Sequence, residues 1–170
     1  MSCAVVVSGV VMRWIMYESK VQTVAIDEVV AKWRFRHGAC PFVLVVDDDE
    51  VAAETVATAL REIGYAVVIA YDGESALQLA SLAPPDLMIT DISMPGMDGL
   101  ELSIRMHESF PSCRILLFSG LSDDCELLVE NRERGFNFPL LTKPAPMAAL
   151  LQLACQQLLS PTTQQKTAKA

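Results

Sequence analysis

Four positions in the chain place a carboxylate, a hydroxyl or an ammonium group directly after a short apolar run. Asp47 and its acidic neighbours follow FVLVV, and Asp91 follows LMIT. Ser119 follows RILLF, and Lys143 follows LLT. Carboxylates that lie close together can share a cation such as Mg²⁺, and a carboxylate can then act as a nucleophile towards a phosphoryl group. These residue types suit phosphoryl transfer, provided that the fold brings them to one place.

The segments between these positions alternate between strand and helix. Short apolar runs predict five strands, at residues 42–46, 66–70, 87–90, 114–118 and 140–142. Helical spacing, capping residues and chain breakers predict a helix after each strand, with the last one spanning about 147–158. Strands that are apolar throughout are typical of a parallel sheet covered on both faces. The pattern therefore predicts one α/β domain with a five-stranded, doubly wound parallel sheet between two layers of helices.

The carboxyl ends of parallel strands lie at one edge of a sheet, where α/β proteins bind their ligands. We expect Asp47, Asp48 and Asp91 to converge there, together with Ser119 and Lys143. Mg²⁺ is the expected cation, because it takes oxygen ligands from one or two carboxylates and from phosphate. Asp91, held at the end of a rigid strand, is the expected nucleophile.

The four motifs VVDDDE, DISMPGMDG, Ser119-Gly120 and Lys143-Pro144, in this order, resemble the receiver domain of two-component response regulators. The resemblance covers roughly residues 42–159. It implies a flavodoxin-like (βα)5 fold, which is a three-layer α/β/α sandwich.

The resemblance also implies a phosphoacceptor and a metal site. Asp91 would accept a phosphoryl group from a sensor histidine kinase or a histidine phosphotransfer protein. Asp48 would bind Mg²⁺ directly and Asp47 through water, while Asp91 and the backbone carbonyl of Ser93 would complete the protein ligands.

Three further roles follow from the same resemblance. Ser119 would be the switch hydroxyl that moves towards the phosphoryl group, and Lys143 would hold another phosphoryl oxygen through a cis bond to Pro144. Ser93 and Leu121, two residues beyond Asp91 and Ser119, would tune dephosphorylation. The family usually carries an aromatic switch residue three positions before the lysine, and here that position is Leu140.

Two other functions fit parts of the sequence. DDDEV resembles the start of haloacid-dehalogenase phosphatases, which would make Asp47 the nucleophile, Asp49 the acid/base, and Ser119 and Lys143 the later motif residues. That family needs a second acidic pair after the lysine, and no acidic residue follows Lys143. A receiver-like scaffold that binds partners without phosphorylation is the third possibility, and Leu140 is the residue that suggests it.

Charge and composition bear on partners and location. The chain has a net charge of −8, with +2 on residues 1–40 and −10 on residues 41–170, which argues against direct nucleic-acid binding. The apolar start lacks a preceding basic residue and is too short to span a membrane. Five scattered cysteines without a paired motif are typical of reduced thiols in the cytoplasm.

The predicted organisation is an N-terminal extension of uncertain status at 1–40, a receiver domain at 41–160 and a disordered tail at 161–170. We expect a single-domain response regulator that catalyses only its own phosphorylation and dephosphorylation. It would signal to a downstream protein through protein contacts, as a monomer or weak dimer, without nucleic-acid or membrane partners.

Overall fold

The computed structural model describes residues 6–7, 10–11, 40–120 and 135–159. Five strands within these residues form one parallel sheet: β1 (Phe42–Val46), β2 (Ala66–Ala70), β3 (Leu87–Thr90), β4 (Arg114–Gly120) and β5 (Leu140–Lys143). Their spatial order is β2-β1-β3-β4-β5. The chain therefore changes its direction of winding between β1 and β3, and in such sheets the ligand crevice forms at that point.

The helices described in the structure pack on both faces of this sheet. They are α1 (Glu50–Glu62), α2 (Gly73–Leu82), α3 (Gly99–Ser109) and α4 (Met147–Leu159). An aspartate caps each of the first three, because the side chains of Asp49, Asp72 and Asp98 accept backbone N–H groups from the first turn. The helix predicted between Ser122 and Gly135 lies outside the described residues, as do Leu121 and the predicted tail.

The two layers of the core follow the alternation of side chains along each strand. Val43 and Val45 of β1 belong to a buried cluster with residues of α1 and α4. Leu44 and Val46 belong to a second cluster with residues of α2 and α3. The predicted parallel sheet between two helical layers is confirmed.

Strands β4 and β5 extend further than their apolar runs predicted. Ser119 pairs with Thr142, and Gly120 pairs with Lys143. Backbone pairing does not depend on side-chain polarity, so the ladder continues into the polar residues. As a result Lys143 lies on a strand rather than in the loop that follows.

Val6–Val7 and Val10–Val11 form an antiparallel pair separate from the main sheet. Within the residues that the structure describes, no helix is long and apolar enough to cross a membrane.

Candidate functional site

Three carboxylates meet at the carboxyl ends of β1 and β3. The two strands are paired with Val46 opposite Thr90, so the residues that follow them, Asp47 and Asp91, come side by side. The Asp91 N–H donates to the Val46 carbonyl at 2.9 Å, which continues the ladder up to the acidic residue. One ligand atom from each of Asp47, Asp48 and Asp91 lies within 4.8 Å of the others. The predicted convergence of these three residues is therefore present.

Asp47 is buried and its carboxylate is held from two directions. Its Oδ1 accepts the Asp49 N–H at 3.0 Å, and its Oδ2 accepts from Lys143 Nζ at 2.8 Å. The Asp49 side chain points to α1 instead, where it accepts the N–H groups of Val51 and Ala52. Asp49 is thus a helix cap, and the acid/base role that the phosphatase alternative requires has no support in this geometry.

Asp91 combines a fixed orientation with access to solvent. Its Oδ1 accepts the Ile92 N–H at 2.7 Å, and its Oδ2 accepts from Lys143 Nζ at 3.1 Å. The side chain nevertheless remains 14% exposed, so an incoming group can reach it. A carboxylate that is both oriented and accessible is what a nucleophile at a strand end needs.

Lys143 links the acidic residues from the edge strand β5. Burial acts to lower the pKa of Lys143, but hydrogen bonds and charge from Asp47 and Asp91 outweigh burial, and the net effect raises this pKa. The ammonium group therefore stays charged at neutral pH. The bond from Lys143 to Pro144 is cis, as the resemblance implied.

Phe118 is a further contact of this ammonium group that the sequence analysis did not single out. Lys143 Nζ lies 5.0 Å from the centre of the Phe118 ring, within the range of a cation–π interaction. The pairing of β4 with β5 explains this contact. Gly120 pairs with Lys143, and Phe118 lies two residues before Gly120 on the same face of the sheet. That register was not available from the apolar runs alone.

The remaining predicted residues lie around this centre. Ser119 is buried at the end of β4, one position before the partner of Lys143. Ser93 is exposed in the loop two residues after Asp91. Leu140, in the position of the usual aromatic residue, is partly buried and packs with Phe138 against the core layer of α2 and α3.

The donor set fits a hard divalent cation. Asp48 is exposed beside the more buried Asp47 and Asp91, and Ser93 lies exposed in the loop that follows Asp91. Mg²⁺ prefers oxygen ligands of this kind, with water and phosphate oxygens completing its coordination. Among the described residues, Lys143 is the ammonium group that pairs with these carboxylates, and one positive charge does not balance three negative ones. A bound cation would therefore reduce the repulsion that remains.

Comparison with known proteins agrees with this geometry. A family model described as the response regulator receiver domain matches residues 43–154. The chain is 39% identical over 78 residues to the probable transcriptional regulatory protein TcrX of Mycobacterium tuberculosis, covering 46% of this chain and 33% of that protein. It is 38% identical over 109 residues to the response regulator MprA of Mycobacterium ulcerans, covering 64% of this chain and 46% of that protein.

A solved structure extends the similarity to the fold. The Vibrio cholerae chemotaxis protein CheY4 is 31% identical with a TM-score of 0.62, and the match covers 70% of this chain and 99% of that one. The chain spans less than half the length of the two curated relatives.

Proposed function

Since the chain belongs to the response regulator receiver domain family, we propose that Asp91 accepts a phosphoryl group from the phosphohistidine of a sensor histidine kinase or a histidine phosphotransfer protein. The observation that carries this proposal is the contact of Lys143 Nζ with both Asp91, at 3.1 Å, and Asp47, at 2.8 Å. It joins an accessible, oriented carboxylate to a cation at the strand ends, as phosphoryl transfer requires.

In the proposed reaction, a carboxylate oxygen of Asp91 forms a bond to phosphorus. The bond from phosphorus to the donor's imidazole nitrogen breaks, and the imidazole takes up a proton. The Ile92 N–H, which donates to Asp91 Oδ1 at 2.7 Å, keeps the carboxylate aligned with its strand during the transfer. Positioning and charge stabilisation therefore account for the catalysis, with no further covalent step.

Charge at the site is the second requirement. Asp48, Asp91 and the Ser93 carbonyl would hold Mg²⁺, with Asp47 reaching it through water, and the ion when bound supplies positive charge against the carboxylates and the phosphoryl oxygens. Lys143 exchanges its bond to Asp91 for one to a phosphoryl oxygen. The Ser119 hydroxyl then moves towards the phosphoryl group, and this movement transmits the change to β4 and the segment after it.

We place the output of this domain in protein contacts made in the cytoplasm, with the chain as a monomer or weak dimer. The net charge of −8 supports a protein partner over direct binding of nucleic acid by these 170 residues. Among the described cysteines, Cys113 and Cys155 are buried and form no disulfide, which suits a reducing compartment.

The test is intact mass after incubation of the full chain with acetyl phosphate, in the presence of Mg²⁺ or EDTA. One added phosphoryl group is expected for wild type with Mg²⁺, and none with EDTA or in Asp91→Ala. Asp49→Ala is the matched control, because Asp49 lies at the same edge but caps α1. It should be phosphorylated like wild type.

Two outcomes would contradict the proposal. An adduct that persists in Asp91→Ala and disappears in Asp47→Ala and Asp49→Ala would favour the phosphatase-like alternative. No adduct in wild type under any condition would favour the scaffold that binds partners without phosphorylation.

A further inference from the structure

Gly99, the first residue of α3, lies against the backbone of the phosphoacceptor. A Cβ atom built on Gly99 would meet the Asp91 carbonyl oxygen at 1.8 Å, the Asp91 carbonyl carbon at 2.7 Å and the Ile92 Cα at 2.9 Å. The φ angle of Gly99 lies outside the left-handed region, so an ordinary L-residue could adopt this backbone conformation. Space, and not conformational freedom, is what requires glycine here.

The contact exists because the loop after β3 folds back on itself. The Gly99 N–H donates to the Ile92 carbonyl at 2.9 Å, and the Met94 N–H donates to the same oxygen at 3.0 Å. Ile92 in turn donates its own N–H to the Asp91 carboxylate at 2.7 Å. The start of α3 is therefore joined through one residue, Ile92, to the side chain that would accept the phosphoryl group.

We propose that Gly99 is a positioning residue for Asp91: its bare backbone lets α3 sit directly on the Asp91 carbonyl and fixes where the Asp91 carboxylate stands relative to Asp47 and Lys143. Cβ contacts under 3.0 Å essentially do not occur, so any side chain at position 99 moves the Asp91 backbone or the helix by about 1 Å or more. A displacement of about 1 Å at a reacting group can lower a rate by about 100-fold.

Gly73 offers a matched control within the same chain. It is also buried, it is also the first residue of a helix, and it also follows a capping aspartate, Asp72. A Cβ on Gly73 would meet the side chain of Met97, with Sδ at 2.8 Å and Cβ at 2.9 Å. Gly73→Ala should therefore press on the loop at Met97. None of the nearest atoms belongs to Asp91 or Ile92, so it should not press directly on the Asp91 backbone, as Gly99→Ala would.

The experiment compares Gly99→Ala with Gly73→Ala in the full chain. The rate constant of acetyl phosphate labelling at saturating Mg²⁺ and donor is measured by intact mass and divided by the folded fraction from circular dichroism. The rate constant is expected to be about 100-fold lower in Gly99→Ala than in wild type, and to stay within about threefold of wild type in Gly73→Ala. A purely structural role would lower the labelled amplitude of both variants and leave this rate constant unchanged.

A readout without metal or donor supports the kinetics. In ¹⁵N-labelled, metal-free protein, Gly99→Ala should shift the amide signals of Asp91 and Ile92, and Gly73→Ala should leave them in place. Unshifted signals in Gly99→Ala, or a rate constant equal to that of Gly73→Ala, would overturn the positioning role.

A second pair of variants covers the case in which Gly99→Ala does not fold. Asp98→Ala loosens the start of α3 and Asp72→Ala loosens the start of α2, because each carboxylate accepts a backbone N–H of its own helix, at 2.8 Å and 2.7 Å. Asp98→Ala should lower the labelling rate constant several-fold more than Asp72→Ala. Equal rate constants in the two would overturn the proposal.

This inference rests on the proposed function, and the two can fail separately. If wild type takes up no phosphoryl group, the proposed function fails and the amide signals alone decide the placement of Asp91. If wild type is labelled on Asp91 and Gly99→Ala matches it, the positioning role alone fails.

Discussion

The two ends of β3 each carry an aspartate, and the two carboxylates have different surroundings. Asp86, before the strand, is partly buried, and its Oδ2 accepts the Phe42 N–H at 2.8 Å. Asp91, after the strand, lies within 4.8 Å of two other carboxylates and accepts from Lys143. The Asp86 carboxylate accepts the first backbone N–H of a neighbouring strand, while the Asp91 carboxylate adds to a surplus of negative charge.

The nearest cations differ in the same way. Burial lowers the pKa of Arg114, and the charge of the Asp86 carboxylate offsets only part of that change. Lys143 is shared between Asp47 and Asp91. The comparison shows that residue type alone does not separate structural from chemical aspartates. What separates them is whether the partners are backbone groups of a strand or other charges that a ligand can rearrange.

Exchanging the cation at each end should give the largest difference. Lys143→Met is expected to lower the rate constant of Asp91 phosphorylation by about 100-fold or more, because it removes a charged donor from the transferring oxygens. Arg114→Met, at the opposite end of the sheet, should lower stability while the rate constant per folded molecule stays near that of wild type. Initial rates with acetyl phosphate at saturating Mg²⁺ measure both, and similar losses in the two variants would break the comparison.

Removing one carboxylate from each end should change stability in opposite directions. Asp86→Ala is expected to lower the free energy of unfolding by about 1–3 kcal/mol, because the Phe42 N–H loses its acceptor. Asp48→Ala is expected to raise it by about 1 kcal/mol without metal, because repulsion between carboxylates that lie within 4.8 Å of one another is relieved in a water-like dielectric. Chemical denaturation in EDTA measures both values.

Adding Mg²⁺ should change the stability difference between wild type and Asp48→Ala in favour of wild type. At about ten times its dissociation constant, a ligand that binds only the folded state adds about 1.4 kcal/mol. Wild type should gain this stabilisation, and Asp48→Ala should gain less because it lacks one ligand. If Asp48→Ala is less stable than wild type in EDTA, the claim of surplus negative charge at this edge is wrong.

The smallest expected effect is a pH dependence carried by Lys143. Its pKa in the folded chain is raised above the ordinary 10.5. A raised pKa means that its stabilising contribution is complete below about pH 10.5 and is lost as the pH rises through the folded-state value. The difference in unfolding free energy between wild type and Lys143→Met should therefore shrink above that pH.

Comparing wild type with Lys143→Met cancels the contributions of other groups that titrate in the same range. One of these is Cys113, whose pKa is raised to about 12 by burial. A difference that grows with pH would mean that burial, and not the two aspartates, controls the pKa of Lys143.

Much of the fold was readable from the sequence because its elements have local signals. FVLVV is apolar throughout and LMIT is apolar up to its final threonine, and turns or polar residues flank both runs, so β1 and β3 were predicted with the bounds that the structure has. The rule that parallel strands end at one edge then placed Asp47, Asp91 and Lys143 together. These predictions depend only on residue type, period and topology.

Other features depend on distances that no local pattern encodes. Gly99 looks like any residue at a helix start, and its closeness to the Asp91 carbonyl follows from how the loop folds back. Phe118 reaches the ammonium group through the register of β4 on β5, which the sequence did not define. The bond from Asp47 to Lys143 likewise required knowing how far the lysine extends across the sheet.

That bond has a consequence for the order in which the molecule is made. Lys143 follows Asp47 by 96 residues and Asp91 by 52 residues along the chain. At a synthesis rate of about 5–20 residues per second, the ribosome adds Lys143 about 3–10 s after Asp91. During that interval the nascent polypeptide holds both carboxylates without the ammonium group that joins them. The acidic edge is therefore completed only after β5 has been synthesised and has paired with β4.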